Sequence, residues 1–196
     1  MKKRRRGCGC ATFIIMIILL GAAALWALNN KDKIEQLFYP LDYEGIVAER
    51  CEEYGVDKWL AMALIREESG FKQDAVSNAG AYGLMQLMPD TASWLIERGG
   101  FDISVDQAIY DAESNITIGV YYLSVLKDVY LGKVRGTAEA AMIAAYNAGI
   151  GSVDNWLEEG VWDGSTETLA DIPYDETRAH VSNVLKSRDA YQRLYE

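Results

Sequence analysis

The sequence has one histidine, three cysteines and three prolines among its 196 residues. A single histidine, His180, excludes zinc sites that need two or more histidines. Three cysteines exclude a small scaffold held together by several disulfides. Basic residues are also scarce, with 19 Lys and Arg against 29 Asp and Glu and a net charge of −10. This balance argues against a nucleic-acid partner, because nucleic-acid-binding proteins usually carry a basic face.

Half of the residues are hydrophobic, which excludes a wholly disordered chain. The length predicts one globular unit with an appendage. The charge is unevenly distributed, since residues 1–10 contain five basic residues and no acidic one, and all 29 acidic residues follow them. A basic head and an acidic body indicate two different environments.

An uncharged apolar run extends from Ala11 to Leu28 directly after the basic head. As a helix it would be about 27 Å long, close to the hydrocarbon thickness of a bilayer. The positive-inside rule then predicts a cytoplasmic head at 1–10, a signal anchor through the lipid bilayer at 11–28, a stalk at 29–42 and an extracytoplasmic domain at 43–196, facing the cell wall.

A cleaved signal peptide is the alternative interpretation of the apolar run. Ala22, Ala23 and Ala24 offer the small residues of a cleavage site, but Leu25, Trp26 and Leu28 continue the apolar run beyond them. The run therefore favours an uncleaved anchor. Cys8 and Cys10 would lie in a reducing cytosol as free thiols.

The remaining sequence predicts a mainly α-helical domain with a small irregular β element near residues 75–87. Hydrophobic spacing and end signals predict its helices: 43–54, 58–69 with Asp57 as the N-cap, 91–98, 113–130, 137–147, 152–158 and 174–195. Residues 163–173 are predicted to form a loop. The expected core includes Val47, Cys51 as a buried small hydrophobe, Val181, Val184, Leu185 and Leu194.

Two adjacent carboxylates follow seven consecutive apolar residues, 59–65, in the second of these helices. A helix that is apolar nearly all round is buried. Burial and the helix C-terminus both disfavour negative charge, so Glu67 or Glu68 could remain protonated as a general acid. Both could equally emerge into solvent or pair with Arg66. Periodicity does not choose between them, because the helix has no clean polar face.

Two further segments combine small, apolar and amide residues. Residues 79–89 (AGAYGLMQLMP) contain glycines that permit close backbone approach, and Gln86 carries both a donor and an acceptor. Such a surface suits a neutral polyol or amide ligand. Residues 145–149 (AYNAG) place a tyrosine hydroxyl and an amide at a helix end.

Taken in order, residues 68–71 (ESGF), 83–89 (GLMQLMP), 145–149 (AYNAG) and 172–178 (IPYDETR) resemble the catalytic domain of the soluble lytic transglycosylase (SLT) family. This family has the lysozyme-like fold, of the α+β superfamily type, and is related to goose-type lysozyme. The resemblance covers about residues 43–195.

The resemblance implies a role for each matching residue. Glu68 matches the single catalytic acid of the family, and Glu67 then becomes structural. Ser77 matches a serine that holds the substrate N-acetyl group, and the remaining matches line or brace the sugar-binding cleft: Gln86, Met88, Tyr146, Asn147 and Glu176. The tyrosine hydroxyl is expected close to the acid. His180 falls where the family commonly has tyrosine, and the sequence assigns it no catalytic role.

The implied reaction is cleavage of the β-1,4 bond between N-acetylmuramic acid and N-acetylglucosamine in peptidoglycan glycan strands. No water is consumed, because the C6 hydroxyl of the same sugar closes a 1,6-anhydro ring. The chemistry requires no metal and no cofactor. Two alternatives remain open: a lysozyme-like hydrolase of the same fold, and an inactive glycan-binding scaffold.

Overall fold

The computed structural model describes residues 8–196. The chain divides into two compact units, one ending at Pro40 and the other running from Leu41 to Glu196. The basic head predicted at 1–10 lies outside the described residues except for its last three, so its environment stays a prediction.

The first unit contains helix α1, Cys8–Asn29, and the short helix α2, Lys31–Gln36. The window Thr12–Asn29 has a mean hydropathy of 2.2, and none of it is buried. By length and composition α1 can cross a membrane, although a signal sequence passes the same test. Helix α2 lies in the segment predicted as a stalk, where its polar sequence carried no periodic signal.

The second unit is a helical domain, and every predicted helix is present with ends shifted by no more than about two residues. Its helices are α3 (Glu44–Tyr54), α4 (Lys58–Ser69), α5 (Pro89–Gly99), α6 (Val105–Tyr110), α7 (Ala112–Tyr130), α8 (Glu139–Ala148), α9 (Ile150–Glu158) and α10 (Asp175–Tyr195). The predicted loop at 163–173 contains a single 3-10 turn, Leu169–Asp171. Helix α6 was not predicted, although Ser104 and Gln107 form a capping box at its start.

The β element predicted near 75–87 is confirmed as two isolated antiparallel bridges. Tyr82 pairs with Val76 on one side and with Leu87 on the other. Within residues 8–196 these two bridges are the only β pairing. The segment is therefore a compact double turn with no regular strand.

Helix α4 forms the centre of the domain. The Asp57 side chain caps it by accepting from the Leu60 amide at 2.6 Å, and Gly70 ends it in the left-handed conformation. All seven residues from 59 to 65 are buried. Helix α10 packs along α4, where Trp59 stacks on Tyr191 and Tyr195 with ring centroids 6.0 and 5.9 Å apart.

Helix α7 packs against the double turn. A Cβ atom at Gly119 would lie 2.3 Å from the Met85 sulfur, so only glycine allows the turn to approach α7 this closely. The Ala-rich helix α8 packs against α7 and α10, with residues 140–145 all buried. These contacts bring the double turn, α8 and the end of α4 together.

The predicted core is confirmed except at one position. Val47, Cys51, Val181, Val184 and Leu185 are buried, and burial raises the pKa of the Cys51 thiol to about 12. Leu194 is only half-buried, so its assignment to the core was wrong. Tyrosine rings fill the contact with α4 at this end of α10, which leaves Leu194 at the side of the helix.

Candidate active site

Glu68 lies in the last turn of α4, where the helix leaves the core. Its side chain is 16% exposed, so the carboxyl group is largely withdrawn from water and does not point into bulk solvent. The left-handed Gly70 ends the helix two residues later and turns the chain towards the double turn. Glu68 thus stands at the junction between the buried helix and a surface cleft.

Burial raises the pKa of the Glu68 carboxyl to about 7, and the nearby negative charge of Glu67 contributes to the rise. The carboxyl group is therefore protonated at mildly acidic pH. A group that holds a proton near neutral pH and can release it suits general acid–base chemistry.

Glu67, the other candidate acid, has a different environment. Its Oε1 atom accepts from Ser187 on α10 at 2.7 Å and also pairs with the guanidinium of Arg66. Arg66 donates in turn to the Ser187 hydroxyl at 3.1 Å. This triad joins α4 to α10, which supports the structural role predicted for Glu67.

The double turn forms one wall of the cleft. The Ser77 hydroxyl accepts from the Ala81 amide at 3.0 Å, and Met88 is 41% exposed at the end of the turn. Gln86 has a positive φ of 47°, and its side-chain amide donates to the carbonyls of Ala75 and Gly83 at 3.2 and 2.9 Å. Both donor hydrogens of Gln86 are therefore engaged within the turn, and its carbonyl oxygen is the group that suits a ligand.

Asn115 of α7 anchors this wall, and the sequence analysis missed it. Its side chain is 1% exposed and accepts from the Met85 amide at 2.8 Å. It donates to the carbonyls of Tyr82 and Ala108 at 3.2 and 2.9 Å. Its neighbours Glu113, Ser114 and Thr117 are polar as well, so nothing in the local sequence distinguished it.

The end of α8 forms the opposite wall. The Tyr146 hydroxyl donates to the Met85 carbonyl at 2.6 Å, which ties α8 to the double turn. Burial raises the pKa of Tyr146 well above its usual value, and Glu68 and Tyr122 add to the rise. The Asn147 carbonyl oxygen accepts from the buried Thr177 hydroxyl of α10 at 2.7 Å. Thr177 is a second supporting residue that sequence reasoning missed.

The first turns of α10 complete the cleft. Glu176 is exposed, whereas the His180 side chain one turn later is 13% exposed. The Nε2 atom of His180 lies 3.3 Å from Oε1 of Glu68. This contact was not expected, because the sequence analysis assigned His180 no catalytic role.

All seven residues that the family resemblance assigned to the site line one cleft. The cleft encloses about 410 Å³, within the range of roughly 300–1,000 Å³ that is usual for ligand sites. It is lined by Glu68, Ser77, Gln86, Met88, Tyr146, Asn147 and Glu176, together with Asn78, Ala79 and Ala81. A neighbouring cavity of about 230 Å³ shares Gln86, Met88, Tyr146 and Asn147, so the groove continues past the tyrosine.

The lining of this groove is mostly neutral and polar around one protonated acid. Within residues 8–196, no group of three or more His, Cys, Asp and Glu side chains has the arrangement of a metal site. The groove therefore offers hydrogen bonds and one largely buried acid to an extended polar ligand.

Comparison with known proteins agrees with this geometry. The family model described as "Transglycosylase SLT domain" matches residues 46–167. The soluble lytic murein transglycosylase of Escherichia coli K12 is 36% identical over 180 residues, which cover 89% of this chain and 25% of that protein. The membrane-bound lytic murein transglycosylase C of Edwardsiella ictaluri is 39% identical over 115 residues, which cover 57% of this chain and 32% of that protein.

The similar solved structures are also lytic transglycosylases. The 70 kDa soluble lytic transglycosylase of Escherichia coli superposes with a TM-score of 0.72 at 30% identity, covering 87% of this chain and 29% of that one. An inactive mutant of the lytic transglycosylase Slt from Pseudomonas aeruginosa gives a TM-score of 0.69 at 33% identity, covering 80% and 25%. The chain thus spans about a quarter to a third of the length of these relatives. It has their lysozyme-like fold, and it belongs to the transglycosylase SLT domain family.

Proposed function

We propose that this protein is a membrane-anchored lytic transglycosylase that cleaves peptidoglycan glycan strands, with Glu68 as its general acid and base. The observation that carries the proposal is the position of Glu68, a largely buried carboxyl group at the edge of a groove lined by all the other candidate residues. The names of the relatives, which are lytic murein transglycosylases, support the same substrate class.

The first chemical step is protonation of the leaving oxygen by Glu68. The raised pKa keeps this carboxyl group protonated until it transfers its proton to the oxygen of the β-1,4 bond between N-acetylmuramic acid and N-acetylglucosamine. The N-acetyl oxygen of the substrate stabilises the positive charge that develops at C1. Glycosidases usually use two carboxylates at this stage, whereas this reaction uses one.

In the second step the Glu68 carboxylate removes the proton from the C6 hydroxyl of the same muramic acid. The C6 oxygen then bonds to C1, which closes the 1,6-anhydro ring and restores protonated Glu68. Because the nucleophile belongs to the same sugar, the step benefits from proximity. Atoms balance without water, and the products are one strand with an anhydro end and one with a free N-acetylglucosamine end.

The walls of the groove would bind the glycan through hydrogen bonds. The Gln86 carbonyl oxygen, the Asn147 amide and the Ser77 hydroxyl offer contacts to sugar hydroxyls and N-acetyl groups. Met88 and Tyr146 supply apolar surface. The acidic domain does not attract an anionic wall at long range, so these local contacts supply the affinity.

The products of peptidoglycan digestion test the reaction. We expect the full chain to release muropeptides that end in 1,6-anhydro-N-acetylmuramic acid, which are lighter by one water than the reducing products of a hydrolase. Mass spectrometry of digested sacculi measures this difference directly. Reducing ends alone would assign a lysozyme-like hydrolase, and intact sacculi with bound protein would assign a glycan-binding scaffold.

We infer that α1 anchors the enzyme in the membrane, with residues 1–10 in the cytoplasm and the catalytic domain facing the cell wall. The apolar window of α1 supports the anchor, and the five basic residues before it support the orientation. The membrane-bound relatives are consistent with such a location.

Cysteine labelling tests the orientation. In a Cys8→Ser/Cys10→Ser background, the buried Cys51 stays unreactive, and a new thiol introduced by Glu159→Cys is exposed. We expect a membrane-impermeant maleimide to label this thiol in intact spheroplasts. In the parent, Cys8 and Cys10 should react only after the membrane is permeabilised. The reverse pattern would contradict the orientation, and release of the chain into the medium would indicate a cleaved signal peptide.

A further inference from the structure

The contact between His180 and Glu68 has no role in the reaction described above. Nε2 of His180 lies 3.3 Å from Oε1 of Glu68, and both side chains are largely buried, at 13% and 16% exposure. The Nε2 atom has no access to solvent and no aligned hydrogen-bond partner among the described residues. A buried polar atom without a partner is costly, so its place beside the acid calls for a functional explanation.

We propose that His180 is a positioning residue for Glu68, which donates from Nε2 to Oε1 and thereby places the acidic proton on Oε2, facing the groove. This inference rests on the proposed function of Glu68. The contact is not aligned as a hydrogen bond in this structure. Hydrogen bonds at catalytic groups are often long in the absence of substrate and tighten in the reacting complex.

One donor at this position serves both chemical steps. While Glu68 is protonated, Nε2–H occupies Oε1 and leaves the Oε2 proton free for the leaving oxygen. After the transfer, the same Nε2–H stabilises the carboxylate that must next act as a base. Hydrogen bonds to a charged group are about twice as strong as those between neutral groups, so the contact strengthens as the reaction proceeds.

The surroundings keep His180 neutral for this role. Burial lowers the pKa of His180, while the charges of Glu67 and Glu176 oppose that shift. Glu67 faces the pair from α4, where Arg66 and Ser187 hold it, and Glu176 faces it from α10. From α8 the neighbouring titratable group is Tyr146, which is neutral because its pKa is raised.

Two variants separate donation from titration. His180→Gln retains a side-chain N–H that can reach Oε1 but does not titrate, whereas His180→Phe retains a ring and removes the donor. We expect His180→Phe to lower kcat about 10- to 100-fold with little change in KM, the range set by loss of a hydrogen bond to a charged group. His180→Gln should retain most of kcat.

The pH profile gives a second readout that a merely structural histidine would not affect. A charged His180 would lower the pKa of Glu68 and weaken its carboxylate as the base of the second step, so the parent should lose activity on the acidic side as His180 becomes charged. His180→Gln should lack that acidic limb. Loss of the donor disfavours ionised Glu68, so His180→Phe should move the basic limb to higher pH.

A readout independent of activity is available because His180 is the only histidine in the chain. With labelled histidine, the imidazole signals of the full chain should report two protonation events, one at Glu68 and one at His180 itself. In Glu68→Gln the first event should disappear. A histidine signal that is the same in both proteins would overturn the contact.

The outcomes separate this inference from the proposed function. If the parent is active and Glu68→Gln is inactive, unchanged kcat and pH limbs in both His180 variants overturn the inference alone. If the parent has no lytic activity, the proposed function fails and this inference fails with it. Melting temperatures within a few degrees of the parent establish that neither variant acts through unfolding.

Discussion

We expect Glu68→Gln to reduce the rate of glycan cleavage by about two to four powers of ten, the contribution of general acid–base catalysis. Glutamine keeps the size of the side chain and its place in the cleft but cannot donate or accept the transferred proton. The rate of anhydro-muropeptide release from purified sacculi measures the loss. A variant that cleaves as fast as the parent would remove Glu68 from the mechanism.

Glu67→Gln is the matched control, because it makes the same chemical change one residue earlier. Glu67 is held by Arg66 and Ser187 and does not line the cleft. We expect this variant to retain most of its activity near pH 6. Removal of the neighbouring charge should move the basic limb of its activity to lower pH, since Glu67 helps to raise the pKa of Glu68.

The same Glu68→Gln change should stabilise the fold at high pH. The pKa of Glu68 rises from 4.5 in the unfolded chain to about 7 in the fold, so ionisation costs folding free energy. The cost is absent below pH 4.5, grows between pH 4.5 and 7, and reaches about 3 kcal/mol above pH 7. Urea unfolding should give the variant a higher free energy of unfolding than the parent at pH 8, but not at pH 4.5. An equal difference at both values would mean that Glu68 is not perturbed.

Asn115→Leu should lower the free energy of unfolding by about 3 kcal/mol or more. Leucine has a similar size, but it removes the side-chain partner of the Met85 amide and of the Ala108 carbonyl. The Tyr82 carbonyl loses one of its two hydrogen bonds and keeps the one from the Leu87 amide. Each unpaired group costs about 1–3 kcal/mol. The double turn carries Gln86 and Met88, so kcat/KM should fall as well. Urea unfolding and sacculus digestion measure the two effects.

Thr117→Val on the same helix is the control for Asn115→Leu. Its hydroxyl bonds only to the Glu113 carbonyl one turn earlier, so its removal should change stability by no more than about 0.5 kcal/mol. If both variants were equally stable, Asn115 would have no special role in anchoring the turn. A stable Asn115→Leu protein with full activity would contradict the prediction completely.

Local signals were sufficient to predict the helices of the domain. Asp57 and Gly70 bracket α4, and the structure places its ends at the predicted residues. Helix α6 was missed because six residues are too few to show a periodicity, although its capping box was legible. The half-buried Leu194 was misassigned because the aromatic contacts that displace it come from Trp59, far away in the sequence.

The candidate site could be predicted only in part from the sequence. Periodicity did not separate Glu67 from Glu68, and the environments that separate them come from Ser187 and His180, more than 100 residues later. The family resemblance identified residues that line the cleft but not those that hold it. Asn115 and Thr177 act through hydrogen bonds to other segments of the chain, and such contacts leave no pattern in the sequence around them.

Gln86 sits at a backbone angle that side-chain-bearing residues seldom adopt. Holding a residue there costs on the order of 1–3 kcal/mol, which the hydrogen bonds of its own amide partly offset. Laboratory evolution for heat tolerance alone should therefore favour Gln86→Gly, because glycine adopts the positive φ of this position without strain. Selection for digestion of intact cell walls would instead retain Gln86, so the two selections should give different residues at position 86.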